Sequence, residues 1–184
     1  MTDSSGPIAT SSQTVGPFFH FGLATDQALG RIADADAAGE HIRLRIRVLD
    51  GDGAAVSDAL VEMYQADADG EYARSPFTGF GRLPTGADGM CVFETIVPGP
   101  VRQQTGEPLA PHINVCLLAR GLLRQVYTRL YFRDHALNPT DRILALVPPD
   151  RRQTLMATPV AGEKGQWEFT IRLQGEGETA FFDL

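Results

Sequence analysis

The four histidines are the side chains of this sequence best suited to metal or acid–base chemistry: His20, His41, His112 and His135. None has a carboxylate two residues further on, so the two-histidine, one-carboxylate face of a conventional Fe(II) oxygenase is not predicted. Zinc hydrolysis lacks its histidine and paired-cysteine spacings, and serine hydrolysis lacks Gly-x-Ser-x-Gly. Taken alone, His112 is more typical of a structural histidine than of a ligand.

Three segments rich in Asp and Gly resemble cation-binding loops only superficially. Residues 67–71 lack the third ligand position and the distal bidentate glutamate of a calcium loop, and no predicted helices flank them. A β-turn is the far commoner structure for such a segment. Residues 34–36 and 50–52 receive the same interpretation.

Short strands must position these side chains, because hydrophobicity alternates with period two along much of the chain. From His41, apolar residues at 42, 44, 46 and 48 alternate with arginines, which predicts a half-buried strand that ends in turn residues 50–53. Further strands are predicted at residues 59–65, 91–97, 113–119, 125–132 and 167–174. This pattern predicts an all-β fold, a β-sandwich or barrel.

Two units are predicted along the chain: an N-terminal arm at residues 1–40 and one β-sandwich domain at residues 41–184. The arm is small and polar except for an apolar island at residues 17–21. Each docked aromatic ring buries about 150–250 Å², so the island is expected to pack on the domain or on a neighbouring chain. One short helix is predicted near 150–157, with Asp150 as its cap.

Composition narrows the class of protein. Formal net charge is −7, from 23 acidic and 16 basic residues, so a nucleic-acid partner is not expected. No stretch approaches the roughly 20 apolar residues of a membrane span, and no leader pattern follows Met1, so no membrane partner is expected either. Cys91 and Cys116 lie in apolar runs and are predicted to be free thiols. A cytoplasmic location is the resulting expectation.

Seven blocks, in order over about residues 11–184, resemble the intradiol dioxygenases, non-haem iron enzymes that split catechol rings between the two hydroxyls. They are residues 13–18, 60–67, 79–82, 98–100, 111–114, 128–132 and 173–183. The resemblance implies a β-sandwich core of the aromatic-compound dioxygenase type, in agreement with the alternation. It also implies Fe(III) held by two tyrosinates and two histidines, since hard ferric iron favours anionic oxygen ligands.

Against that family pattern, most of the metal-binding positions carry unsuitable residues. The tyrosine that follows Pro-Gly-x falls at Val101, and the second histidine falls at Asn114. The arginine that precedes the histidine segment falls at Leu109. The ligand positions are therefore degenerate, and this sequence predicts neither a metal site nor a catalytic residue in the chain.

The two remaining ligand positions receive different interpretations. The other family tyrosine is expected within residues 72–81, where the loop is shortened, and Tyr72 itself lies too early to match. Only His112 survives in place, and it is interpreted as a relic held by packing.

Such a chain is expected to be a non-catalytic subunit. The resemblance implies that Fe(III) is held by a homologous beta subunit, in αβ pairs within a higher-order assembly, with a small aromatic substrate at the αβ interface. Carried over by position, the substrate-pocket wall in this chain would be Thr14, Gly16, Pro17 and Arg129. A cationic fork suits a substrate carboxylate, but a structural ion pair between Arg129 and an interface acid is an equal alternative.

Aromatic residues of the arm, Phe18 and Phe19, are expected to anchor it on the partner. Two other functions stay open at this point. The chain could be an enzyme with a different ligand set around His112, or a stand-alone β-sandwich binding module with no dioxygenase partner.

Overall fold

Eight strands and one α-helix form the regular structure of the computed structural model, which describes residues 9–104 and 106–183. The strands are β1 (His41–Leu49), β2 (Leu60–Gln65), β3 (Phe80–Pro84), β4 (Met90–Ile96), β5 (His112–Leu118), β6 (Val126–Phe132), β7 (Met156–Pro159) and β8 (Gln166–Arg172). Helix α1 spans Pro17–Leu23. Single 3-10 turns cover Gln27–Gly30, Asn138–Thr140, Leu144–Leu146 and Arg152–Leu155.

The strands form one continuous sheet in the order β3-β2-β5-β6-β7-β8-β1-β4, folded over into two halves. Short strand β7 joins the halves, because it pairs in parallel with β6 and antiparallel with β8. Apolar side chains from both halves meet in one buried cluster that includes Leu44, Val115 and Phe169. The predicted all-β sandwich is confirmed.

The alternation in β1 matches the structure residue by residue. Ile42, Leu44, Ile46 and Val48 are at most 3 % exposed and face the core. The arginines between them face outward, and Arg45 forms ion pairs with Glu168 of β8 and with Glu163 in the turn before it. This strand forms because one face removes a continuous apolar row from water, a gain of about 25 cal/mol per Å².

The six predicted strands are all present, with ends that differ by one or two residues. Strands β3 and β7 were not predicted, because each is short and contains a proline that obscures the alternation. Both cysteines are free: Cys91 is buried, and Cys116 is half-buried. None of the helices among the described residues is long and apolar enough to cross a membrane.

The helix predicted at residues 151–157 is wrong in its length and in its cap. The structure has only the 3-10 turn Arg152–Leu155, and its N-cap is Arg151, which makes no side-chain cap. Two turns alone are too short to be stable as a helix. Ala157, which is fully buried, instead belongs to β7 and pairs with Phe132 of β6.

The turn at residues 67–71 is an Asp-stabilised turn, as predicted. The Asp67 carboxylate accepts hydrogen bonds from the backbone N–H groups of Asp69 and Glu71, each at 2.9 Å. Gly70 has a φ of +84°, and a Cβ at this position would collide with the Pro100 carbonyl. The glycine therefore allows two backbone segments to touch, and this contact sets the position of residue 72 beside residue 101.

The predicted arm divides into two parts. Its second part packs on the domain, where Ile32 and Ala33 are buried and the Ile32 N–H donates to Glu94 O at 2.8 Å. Helix α1 lies in the first part and leaves Phe18 87 % exposed and Phe21 69 % exposed. Phe18 and Phe21 of the aromatic island therefore do not dock on their own domain, whereas Phe19 is partly buried.

Replacing Gly70 tests the close backbone approach. Gly70→Ala is expected to lower the free energy of unfolding by more than about 2 kcal/mol, because the left-handed conformation and the collision both add cost. Urea denaturation measures the change. Gly162→Ala is the matched control, since Gly162 has a φ of +79° and no neighbour within 4 Å. Equal losses for the two variants would show that the contact with Pro100 contributes nothing.

Candidate functional site

Strand β5 carries the centre of the site, because its residues His112 and Asn114 point away from the sandwich core. Sheet pairing places Tyr64 of β2 and Arg129 of β6 on either side of Asn114. The same pairing places Tyr131 beside His112. The register of β2, β5 and β6 therefore places aromatic, amide and cationic side chains next to one another around β5.

A hydrogen bond joins the two aromatic rings at the centre of this cluster. The Tyr72 hydroxyl lies 3.1 Å from His112 Nε2, and His112 Nδ1 lies 2.7 Å from the Ala110 carbonyl oxygen. A carbonyl only accepts, so the proton is on Nδ1 and Nε2 is left as an acceptor. Tyr72 therefore donates its hydroxyl proton to the lone pair of His112 Nε2.

Asn114 links this pair to the arginine. Its Nδ2 group donates to the Tyr72 hydroxyl oxygen at 3.2 Å and to the Tyr64 carbonyl at 3.3 Å. Its Oδ1 atom accepts from Arg129 Nε at 2.9 Å. An amide can donate and accept at the same time, and Asn114 uses both capacities to close a continuous network.

Asp141 fixes the base of the cluster. This carboxylate is 1 % exposed and accepts from the backbone N–H groups of Ala110 and Leu144, both at 2.8 Å, and of Ile143 at 2.9 Å. The Tyr131 hydroxyl also donates to it, at 3.3 Å. The Asp141 carboxylate thus accepts several hydrogen bonds. It also holds the backbone of Ala110, whose carbonyl oxygen accepts a hydrogen bond from His112 Nδ1.

The remaining family positions form an apolar wall. Val101 and Leu109 pair with each other through two backbone hydrogen bonds, at 3.1 and 2.9 Å. Together with Ala66 they form a small buried cluster against which the Tyr72 ring packs. The positions of a family tyrosine and arginine are therefore filled by hydrocarbon.

Burial keeps the aromatic groups uncharged. Desolvation, and then the nearby Arg129 guanidinium, lowers the pKa of His112 to about 4. Burial also raises the pKa values of Tyr72 and Tyr131 above the ordinary value for tyrosine. A neutral imidazole and a neutral phenol are the forms that the hydrogen bond between them requires.

These residues do not fit ferric iron. The resemblance implies iron bound by tyrosinates, whereas Val101 offers no donor atom and the Tyr72 hydroxyl is already hydrogen-bonded to His112 and Asn114. Arg129 adds a positive charge beside the donors, which repels a second cation. Within residues 9–104 and 106–183, no group of three or more His, Cys, Asp or Glu side chains is arranged to hold a metal.

Two expectations about the cluster need correction. Tyr72 was set aside because it lies early in the chain, yet the shortened loop still brings its hydroxyl to His112. His112 has a hydrogen-bond partner at each ring nitrogen, so it is held by hydrogen bonds as well as by packing. Spacing along the chain failed to identify Tyr72 because the backbone contact at Gly70 determines where the ring goes.

The predicted wall residues do not all come together. Thr14 accepts from the Gly121 N–H at 2.8 Å, beyond the carboxyl end of β5. Arg129 instead faces Asn114, five residues before Ala119, or about 16 Å along the strand. Thr14 and Arg129 therefore lie towards opposite ends of β5, and the Arg129 side chain is engaged by Asn114. Gly16 is the N-cap residue of α1, and Pro17 is the first residue of that helix. Gly16 and Pro17 therefore lie in the same segment of the arm as Thr14.

Arg120 is the arginine that lies beside the arm. It sits between Ala119 and Gly121, the two residues whose backbones contact the Thr14 hydroxyl. Its side chain is 69 % exposed and forms a 3.6 Å ion pair with Asp58. Sequence reasoning missed this residue; the signal was an arginine in the turn directly after the histidine-bearing strand.

Comparisons with known proteins identify the family and the fold of this chain. Residues 14–175 match the family described as dioxygenase. The structure superposes on the dioxygenase domain of a dioxygenase carbohydrate-binding protein fusion from Streptomyces sp. SirexAA-E with a TM-score of 0.66. That match has 24 % identity and covers 95 % of this chain and 98 % of that chain, so it supports the fold alone. The chain belongs to the intradiol dioxygenase family, which depends on non-haem Fe(III).

Two curated relatives place the chain more finely within the family. It is 44 % identical to the protocatechuate 3,4-dioxygenase alpha chain of Pseudomonas putida, over 95 % of this chain and 96 % of that protein. It is 29 % identical to the protocatechuate 3,4-dioxygenase beta chain of Burkholderia cepacia, over 97 % of this chain and 81 % of that protein.

The buried histidine predicts a specific pH dependence of stability. The pKa of His112 is lowered from 6.5 to about 4 in the folded chain, so between these values only the unfolded chain binds the proton. The His112 contribution is therefore present above pH 6.5 and is lost as the pH falls towards 4. It amounts to at most roughly 3 kcal/mol.

Denaturant unfolding of the wild type and of His112→Gln across this pH range measures the contribution. The difference between the two free energies is expected to change with pH, whereas His41→Gln, at an exposed histidine, serves as the control. A wild type and a His112→Gln variant with parallel pH profiles would mean that His112 is not held neutral.

Proposed function

We propose that this chain is the metal-free alpha subunit of a protocatechuate 3,4-dioxygenase. It works with a homologous beta subunit that holds Fe(III), and the complex cleaves 3,4-dihydroxybenzoate with O₂ to 3-carboxy-cis,cis-muconate. The observation that carries the proposal is the closed network of Tyr72, His112 and Asn114, which leaves no open donor for iron. The 44 % identity to an alpha chain over nearly the whole length supports the same assignment.

In this proposal the redox chemistry belongs to the partner. The Fe(III) of the beta subunit would supply the activation of the catechol ring towards O₂, and both oxygen atoms would enter the product. This chain contributes no group that touches the reacting atoms. Its residues close the pocket from one side, exclude water and bind the end of the substrate remote from the catechol.

The arm is the surface that we assign to the partner. Helix α1 has seven residues, too few to be stable alone, and it exposes Phe18 and Phe21 on one side. Leu123, 64 % exposed, lies in the loop that binds Thr14. Aromatic residues of this kind are the usual anchors of protein interfaces, so the beta subunit would cover them.

For the pocket wall we assign Thr14, Gly16 and Pro17 together with Arg120 in place of Arg129. The Thr14 hydroxyl donates to the Ala119 carbonyl and accepts from the Gly121 N–H, and these bonds hold the arm beside Arg120. A guanidinium matches a carboxylate with two parallel hydrogen bonds. Arg120 is therefore proposed to bind the substrate carboxylate, which distinguishes protocatechuate from plain catechol.

Reconstitution tests the proposed function. Iron content and oxygen uptake with 3,4-dihydroxybenzoate are measured for this chain alone, for a homologous beta subunit alone, and for the two together. We expect no iron and no oxygen uptake for this chain alone, and iron with full oxygen uptake for the pair. Iron in the chain alone would contradict the division of roles. A soluble monomer that binds no homologous chain would favour a stand-alone binding module instead.

The variant Arg120→Gln in the assembled complex tests whether Arg120 binds the substrate carboxylate in the pocket wall. Loss of one charge-assisted contact costs roughly 1.5–3 kcal/mol, so the KM for protocatechuate should rise by about tenfold or more. The KM for catechol, which lacks the carboxylate, should change little. Arg124→Gln is the control, because Arg124 is exposed in the same loop. Equal changes for both substrates would indicate that Arg120 has only a structural role.

A further inference from the structure

Around His112, the position that the resemblance assigns to an iron ligand, hydrogen bonds join three side chains into a shell. Tyr72 Oη lies 3.1 Å from His112 Nε2 and 3.2 Å from Asn114 Nδ2. Asn114 Nδ2 carries N–H groups and binds no metal, so only Tyr72 Oη and His112 Nε2 of this shell are ligand atoms. Protons bridge the members of the shell.

A permanent positive charge lies directly beside this shell. Arg129 Nε donates to Asn114 Oδ1 at 2.9 Å, and the guanidinium acts electrostatically on Tyr72, His112 and Tyr131. Its Nη1 atom is buried and has no hydrogen-bond partner among the described residues. Burying part of a charged group is costly unless electron-rich groups surround it. The phenol oxygens and the amide oxygen of the cluster are groups of that kind.

Asn114 is the residue that connects the shell to this charge. An amide carries no charge at neutral pH, so it can stay against a guanidinium permanently. A histidine in its place would be free to bind a metal, but its protonated form would be repelled by Arg129. The identities of residues 114 and 129 are therefore physically coupled, and they face each other directly across strands β5 and β6.

We propose that Arg129 is an internal cation that replaces the metal ion of the family. Its guanidinium supplies the positive charge around which Asn114, Tyr72 and Tyr131 are arranged, and it keeps metal cations away from the donors. The chain is thus metal-free for two separate reasons: missing ligands and a cation already in place. Restoring a ligand without removing the charge should therefore fail to restore metal binding.

Cobalt titration of the full chain separates the effect of the missing ligands from the effect of the Arg129 charge. Visible absorbance and metal analysis are the readouts. The variants are Asn114→His, Asn114→His with Arg129→Gln, and Asn114→His with Arg129→Lys. Glutamine removes the charge and keeps a donor for residue 114, whereas lysine keeps the charge. Far-UV circular dichroism checks each fold, and Arg129→Met replaces Arg129→Gln if the latter variant is not folded.

We expect the Arg129→Gln double variant to bind about one Co²⁺ per chain, at least tenfold more tightly than the other two, because only there is the repelling charge removed. Adding His112→Gln should abolish this binding. Equal cobalt affinity for Asn114→His with and without Arg129 would overturn the proposal, and so would a neutral double variant that binds none. The readout needs neither activity nor a partner chain, so its result is independent of the proposed function.

Discussion

The hydrogen bond from the Tyr72 hydroxyl to His112 Nε2 is the interaction on which the rest of the site depends. A buried lone pair must be satisfied, and in an iron-binding member of the family the metal would do so. Here a phenol proton satisfies it instead, which requires both rings to be neutral. Burial supplies that condition, since it lowers the pKa of His112 and raises that of Tyr72. The lone pair of His112 Nε2 is therefore already satisfied, and it does not await a metal ion.

The fold can hold this cluster because nothing in the sheet relies on a metal. Strand register sets Asn114 opposite Arg129, and the buried Asp141 carboxylate fixes the backbone that His112 uses. Val101 and Leu109 close the remaining side with hydrocarbon. The residues at the degenerate ligand positions thus contact one another through hydrogen bonds and apolar packing. A chain of this kind can retain the family shape and use other surfaces, such as the arm, for assembly.

Much of this fold was predictable from the sequence, because core-facing strands carry an unbroken alternation. Strand β1 is the clearest case, and β7 was missed because four residues ending in proline show no period. The site was harder to predict, since its geometry depends on contacts between distant segments. Tyr72 was excluded by counting along a loop whose path is set at Gly70. The motif of Arg129 left a pocket role and a structural pair as equal alternatives, and only the strand pairing shows that its neighbour is Asn114.

The protonation state of His112 tests the central claim most directly. In the full chain labelled with ¹⁵N-histidine, NMR at neutral pH reports which ring nitrogen carries the proton. We predict a neutral ring with the proton on Nδ1 and an unprotonated Nε2 that accepts a hydrogen bond. The ring signals should not shift when ferric or cobalt ions are added. A doubly protonated ring, a proton on Nε2, or an Nε2 signal that responds to metal would contradict it.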